Sequence, residues 1–405
     1  MKRVKPGIDG YGLGISRRQF VQGLAMGGAI AGLGLNSAYA WPTARSIGNP
    51  QILKGDYFRL SIGYMPVNFT GKERIGTAIN GMVPAPVLRW QEGREVSLEV
   101  TNNLAHDTSI HWHGIILPSE MDGVPYISDN FPGIPPGDTF TYRFKLNQSG
   151  TYWYHSHSGF QEQTGMYGAI IIDPADADPV SYDREYVIVL SDWTDENPTR
   201  LYAKLKKMSD YYNFSQRTVG DLYADIKQNG VSGTWANRKM WNRMRMSDRD
   251  ISDISSHTYT FLMNGQTPAE GWKGLFKRGE KVRLRIINAA AMTIFDVRIP
   301  GLDMKVVTTD GQNMEPVTVE EIRIGVAETY DVVVAPQHDT AYTIFAQAID
   351  RTGYARGTLT PDLALTASVP DLDGQPILSH GDMGMDMASM GHDTSSMKGM
   401  DHSKM

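Results

Sequence analysis

Glu95-Val96-Ser97-Leu98-Glu99-Val100 alternates polar and aliphatic residues one for one, and Thr139-Phe140-Thr141-Tyr142-Arg143-Phe144-Lys145-Leu146 repeats the pattern with aromatic residues. Successive side chains of a strand point to opposite faces, so each segment reads as a strand with one apolar and one wet face. Around them, from residue 41 to 175, similar short runs such as Gly168–Ile172 are divided by Gly, Pro, Asn and Asp. Pro132, Pro135 and Pro136 with Gly133 and Gly137 mark a tight loop between two of them. Regular turn signals between alternating strands predict a β-sandwich.

A second set of strands runs through residues 180–370, with Val187–Leu190, Lys281–Ile287, Ile322–Ile324 and Tyr330–Ala335 as its clearest members. Leu98–Leu104 and Leu284–Ala290 share a grammar, an alternating strand that ends on Asn, which predicts a duplicated sandwich and an all-β fold. Between residues 194 and 256 the alternation breaks. This stretch is rich in Lys, Arg, Asp, Tyr and Met, and it reads as a surface insertion with one short helix over Leu201–Met208.

The two ends of the chain differ from its middle. Ser16-Arg17-Arg18-Gln19-Phe20, an apolar Gly-rich run from Val21 to Leu35 and Ala38-Tyr39-Ala40 read as a twin-arginine signal over residues 1–40. The run holds 15 residues, five of them Gly, where a spanning helix needs about 20. Export by the twin-arginine machinery, a periplasmic location and no stable membrane insertion are the expectations. At the other end, residues 371–405 become a Met- and His-rich tail. From His380 onward it holds seven Met, three His and four Asp with no Leu, Ile, Val or Phe, a composition that builds no core.

Over 405 residues the hydrophobic content is 41% and the charged content 21%, values of a globular protein of two or three domains. A net charge of −6 without a basic stripe argues against nucleic acid as a partner. There is no cysteine, so no disulfide forms within the chain.

Chemistry concentrates in two short motifs. His111-Trp112-His113-Gly114 places two imidazoles on one face of a strand, and Tyr152-Trp153-Tyr154-His155-Ser156-His157 does the same at a strand end. Imidazole suits Cu, Zn, Fe and Ni, and two such pairs in one sandwich predict a single metal cluster. In the tail, Met383, Met385, Met387, Met390, Met397, Met400 and Met405 are soft donors matched to Cu(I), with His392 and His402 beside them. His106, His257 and His338 stand alone and read as surface or loop residues.

His111-Trp112-His113-Gly114, the loop Met121-Asp122-Gly123-Val124-Pro125 and Gly150–His157 together resemble the first cupredoxin domain of the multicopper oxidases. Asn264-Gly265 and the strands after it resemble the second. The signal and the Met-rich tail narrow the likeness to the bacterial copper-resistance type. The resemblance implies copper as cofactor, with His111 on the type 2 ion and His113, His155 and His157 on the type 3 pair. It implies that Asp122, which its place before Gly123 also reads as a turn residue, handles protons, that O2 is reduced to water and that Cu(I), or a phenol, is oxidised. It also exposes a departure. The family's third domain supplies His-x-x-His-x-His and His-Cys-His, and this sequence contains neither. A type 1 copper needs a thiolate. The expectation is therefore a chain that lacks the third domain, that leaves the histidine edge open or apolar, and that is inactive alone. A non-catalytic copper-sequestering protein is the alternative.

Overall fold

The computed structural model describes residues 50–249 and 256–382. The twin-arginine motif, Met383–Met405 and the copper donors assigned there lie outside these residues. The first sandwich is built from nine strands: β1 (Ile52–Lys54), β2 (Tyr57–Val67), β3 (Arg74–Ile79), β4 (Val87–Gln91), β5 (Glu95–Asn102), β6 (His111–His113), β7 (Thr139–Lys145), β8 (Gly150–His155) and β9 (Tyr167–Asp173). They form one sheet in the order β3-β2-β5-β7 and a second in the order β1-β4-β9-β8-β6. Leu60, Ile62, Leu98 and Val100 meet Trp90, Trp112, Tyr154 and Ile170 between the sheets. The alternation in β5 and β7 produces this: their apolar residues are buried, Phe140 only half so, and their polar ones are not, apart from Asn102 at the end of β5.

The second sandwich holds β10 (Arg184–Trp193), β11 (Thr260–Met263), β12 (Trp272–Leu275), β13 (Val282–Asn288), β14 (Phe295–Arg298), β15 (Met304–Thr309), β16 (Gln312–Val319), β17 (Glu321–Ile324), β18 (Thr329–Val334), β19 (Tyr342–Ala348) and β20 (Tyr354–Thr360). Its sheets run β11-β10-β13-β18-β15-β16 and β12-β20-β19-β14-β17. Mostly strand, with parallel and antiparallel pairs mixed in each sheet, the chain is a pair of cupredoxin-like sandwiches.

Duplication is visible atom by atom. Asn102 closes β5 and Asn288 closes β13, both fully buried. Each amide accepts from the backbone two residues on, from Leu104 at 2.9 Å and Ala290 at 3.1 Å, and donates to carbonyls of the next loops. A second pair sits at Asn80-Gly81 and Asn264-Gly265. Both asparagines hold positive φ, 53° and 51°, which Asn tolerates better than other side chains. Each accepts at 2.7 Å from the facing strand, from Ser61 N and Val189 N. The sequence carries this second signal in Ile79-Asn80-Gly81 and Met263-Asn264-Gly265.

The sheet that ends in β8 and β6 is covered on both faces, which is why β9 reads Ile170-Ile171-Ile172 without alternation. Its outer face, with Val87, Trp153, Tyr167 and Ile171, packs on Val189, Leu262, Ile287 and Ala289 of the second sandwich. Beside this apolar contact lies a buried ionic cluster. Asp331, fully buried, accepts from Arg283 Nε at 2.9 Å, Arg285 Nη1 at 3.0 Å and Thr151 Oγ1 at 2.8 Å. Glu185 bridges Arg285 to Arg89 of the first sandwich.

The stretch after β10 is more helical than the single short helix expected. α1 (Pro198–Leu205) is capped by Asn197, and α2 (Val219–Met244) opens on a capping box of Thr218 and Asp221. α2 is broken at Gly230, whose φ of 70° and ψ of 168° leave the helical region. It buries only Thr234 and Trp241, so it has no apolar stripe for a periodicity search to find. Residues after β20 return to this body. Asp373 pairs with Arg298 at 2.8 Å, Leu378 N donates to Asp248 O at 2.7 Å, and the His380 ring stacks on Trp241 at 4.8 Å. The first histidine of the Met-rich segment is thus buried on a helix. No helix of the described residues is long and apolar enough to cross a membrane.

Candidate metal centre

β6 and β8 pair antiparallel with His111 opposite His155 and His113 opposite Trp153. Because the side-chain period is two, Trp112, Tyr152 and Tyr154 turn into the first core, while His111, His113, Trp153 and His155 turn to the other face. His157 follows just past the end of β8, its backbone N held by Ser109 Oγ at 3.1 Å. All four imidazoles gather at one place. His111 lies 5.5 Å from His113, 5.6 Å from His155 and 4.9 Å from His157, measured between ring centroids. One nitrogen from each of His111, His113 and His155 falls within 4.8 Å of the other two. His157 is the most exposed of the four and stands outside that tight set.

Hydrogen bonds decide which nitrogens keep a lone pair. His111 Nδ1 lies 2.9 Å from the carbonyl of Asp122, which only accepts, so Nδ1 carries the proton and Nε2 the lone pair. His155 Nδ1 lies 2.8 Å from Glu162 Oε2, which leaves its Nε2 as the donor atom. That Nε2 sits 3.3 Å from Nδ1 of His113. Two nitrogens each ~2 Å from one ion at a tetrahedral angle are about this far apart. The set therefore fits a metal in number, donor type and spacing.

Burial favours the neutral form of three of these imidazoles. Burial, then the neighbouring imidazoles, pull His113 and His157 each down to about 4. His111 is lowered chiefly by burial too, opposed by its bond to the Asp122 carbonyl and by that residue's charge. Neutral imidazole is the ligand form, so none of these three has to shed a proton at neutral pH before an ion enters.

Asp122 is half-buried beside the cluster, its Oδ1 3.3 Å from His111 Nδ1 and its Oδ2 3.4 Å from Ser128 Oγ. The next residue fixes the loop. A Cβ on Gly123 would lie 1.8 Å from the carbonyl of Ile110, and its φ is 79°, so only glycine lets the Asp122 loop press against the strand that carries His111. Ile116, Tyr126 and Ile127 on the loop after His113 are 71%, 83% and 78% exposed. Tyr126 lines a cleft of about 970 Å³ together with His157, Phe160, Trp193 and Asp195.

Three residues behind the site escaped sequence reading. Glu162 and its neighbour Gln163 lie in the loop after His157, and Asp192 sits in the second sandwich. A carboxylate a few residues beyond a His pair is the only local signal, and spacing does not say which acidic residue turns back. His106 and His338 are exposed, and His257 lies 5.0 Å from the Phe214 ring.

Residues 61–177 and 184–363 match multicopper oxidase family models. The chain is 57% identical over 395 residues to copper resistance protein A of Escherichia coli, covering 96% of this chain and 63% of that protein. It is 54% identical to copper resistance protein A of Pseudomonas syringae pv. tomato, over 96% of this chain and 61% of that one. It thus spans less than two thirds of the length of these relatives. Among solved structures, a laccase from Botrytis aclada superposes with a TM-score of 0.58 at 26% identity, over 82% of this chain and 56% of the laccase.

Proposed function

Since the chain belongs to the multicopper oxidase family, of the bacterial copper-resistance kind, we propose that its histidine cluster is half of the copper centre at which such an oxidase reduces O2 to water while oxidising Cu(I), or phenols in its place. The observation that carries this reading is the convergence of His111, His113 and His155 within 4.8 Å, with Nε2 of two of them left as donor by partners on Nδ1. His111 takes the type 2 ion and His113, His155 and His157 the type 3 pair. Bound copper supplies the one-electron steps that protein side chains cannot. The rest is the work of the chain. Burial holds His111, His113 and His157 neutral and ready to ligate, Trp153 stacks on His155 at 4.0 Å and fixes its plane, and Asp122 passes protons at Oδ1 beside His111.

The thiolate of a type 1 copper must come from outside these residues, since the sequence has no cysteine. The further histidines of the full cluster come from elsewhere as well. The cleft that His157 shares with the exposed Tyr126 is where they would approach. The chain alone therefore binds copper without turnover. Met383, Met385, Met387, Met390, Met397, Met400 and Met405, with His392 and His402, add Cu(I) donors, and the twin-arginine motif sends the folded protein to the periplasm. A sequestering role without turnover is the second reading, favoured by the missing thiolate and the Met-rich segment. Oxygen uptake separates the two. The copper-loaded 405-residue chain consumes no oxygen with Cu(I), and the same chain joined to a domain carrying His-Cys-His does. Failure of the joined protein to turn over would leave sequestration as the function.

A further inference from the structure

Glu162 Oε2 lies 2.8 Å from His155 Nδ1, closer than the Asp122 carboxylate comes to His111 Nδ1, at 3.3 Å. Its partner is the most buried of the four histidines, with a side chain 7% exposed. The Trp153 ring lies on that imidazole with 10° between planes. Stacking fixes the plane, and the carboxylate fixes rotation within it and the tautomer. His111, by contrast, is held through Nδ1 by the neutral Asp122 carbonyl.

The loop that carries Glu162 is pinned from the second sandwich. Its turn closes on itself through Gly165 N to Glu162 O at 3.0 Å and Met166 N to Gln161 O at 3.0 Å. Next to Glu162, Gln163 Nε2 donates to Asp192 at the carbonyl, 3.1 Å, and at Oδ1, 3.3 Å. Asp192 in β10 is itself locked. It accepts from the backbone N of Ala291, Met292 and Thr293 at 3.0, 3.1 and 3.0 Å and from Thr293 Oγ1 at 2.7 Å. A sandwich that contributes no imidazole to the cluster thus reaches it in two steps.

We propose that Glu162 is a positioning residue that holds His155 in its metal-binding tautomer, and that the second sandwich sets its place through Gln163 and Asp192. The inference rests on the reading of the cluster as a copper centre. A carboxylate behind a ligating imidazole orients the ring and raises its basicity, and losing such a partner typically weakens metal binding about 10- to 100-fold.

The test uses the full chain, metal-free and then titrated with Cu(II) against a chelator, with ring 15N NMR of His155 and a thermal melt of the metal-free form. Glu162→Ala is expected to weaken Cu(II) binding at the cluster about 10- to 100-fold, to mix the His155 tautomers and to leave the melt unmoved. Glu162→Gln keeps an acceptor in place and is expected to fall between Ala and wild type in both affinity and tautomer. Gln163→Ala should weaken binding by less than Glu162→Ala. Wild-type affinity or an unmixed tautomer in Glu162→Ala would overturn the role, as would equal losses in Ala and Gln that follow a lowered melt. An unchanged Gln163→Ala would remove the part assigned to the second sandwich. The controls His113→Ala and His155→Ala keep the two readings apart. If they leave Cu(II) binding unchanged, the copper-centre reading itself fails.

Discussion

Replacing Asp192 with Asn changes almost no volume, so its cost comes from hydrogen bonding alone. The carboxylate is fully buried and acceptor-only, with Oδ2 taking Met292 N, Thr293 N and Thr293 Oγ1, and Oδ1 taking Ala291 N and Gln163 Nε2. An Asn amide offers one oxygen. If that oxygen serves the Oδ2 group, its NH2 faces Ala291 N and Gln163 Nε2; turned the other way, it faces two backbone N–H groups and a hydroxyl. At least one backbone N–H loses its partner either way, at about 1–3 kcal/mol, and the remaining bonds lose their charge assistance. A loss of about 3 kcal/mol follows for Asn, and about 4–5 kcal/mol for Ala, which strips every donor and opens a cavity. Urea unfolding of the metal-free protein at pH 7 reads this as a fall in midpoint at unchanged m. Because Gln163 leans on the same carboxylate, Cu(II) affinity should fall with it. A loss under about 1 kcal/mol in Asn would show that the donors re-pair locally, and the reasoning would be wrong.

Acid should weaken the metal-free protein before ordinary carboxylates titrate. His113 and His157 sit at about 4 when folded and near 6.5 when unfolded, so the unfolded chain binds more protons between those values and stability falls as pH drops through that window. Urea midpoints at pH 7, 6 and 5 should decline, less steeply in His113→Ala, and a flat profile would contradict this. Asp331→Ala leaves Arg283 and Arg285 buried with only Asp178 and Glu185 as acidic partners, and should cost about 3 kcal/mol in the same assay. Gly123→Ala must move the loop, because its Cβ would lie 1.8 Å from the Ile110 carbonyl. It should weaken copper binding by disturbing the Asp122 carbonyl behind His111, and an unchanged affinity would show that the loop yields freely.

The convergence of His111, His113 and His155 was legible because a strand's period is fixed, whereas His157 lies past the end of β8, where that period no longer applies. The sandwiches were legible for the same reason, through alternation in β5, β7 and β13. Glu162 and Asp192 were not, since their roles depend on where a loop returns and on which strand the second sandwich offers to it. α2 escaped because it lies on the surface and buries only Thr234 and Trp241, so its hydrophobic pattern is nearly flat. The burial of His380 against Trp241 was equally hidden, because composition describes a segment's average and not its single anchored residue.

Crystals of the chain grown with copper, with anomalous data collected across the copper absorption edge, test the central claim most directly. The account predicts a copper peak about 2 Å from Nε2 of His111 or His155 or from Nδ1 of His113, lost in a crystal of His113→Ala combined with His155→Ala. Copper found only at other sites, with the His111, His113 and His155 cluster bare at saturating metal, would contradict it.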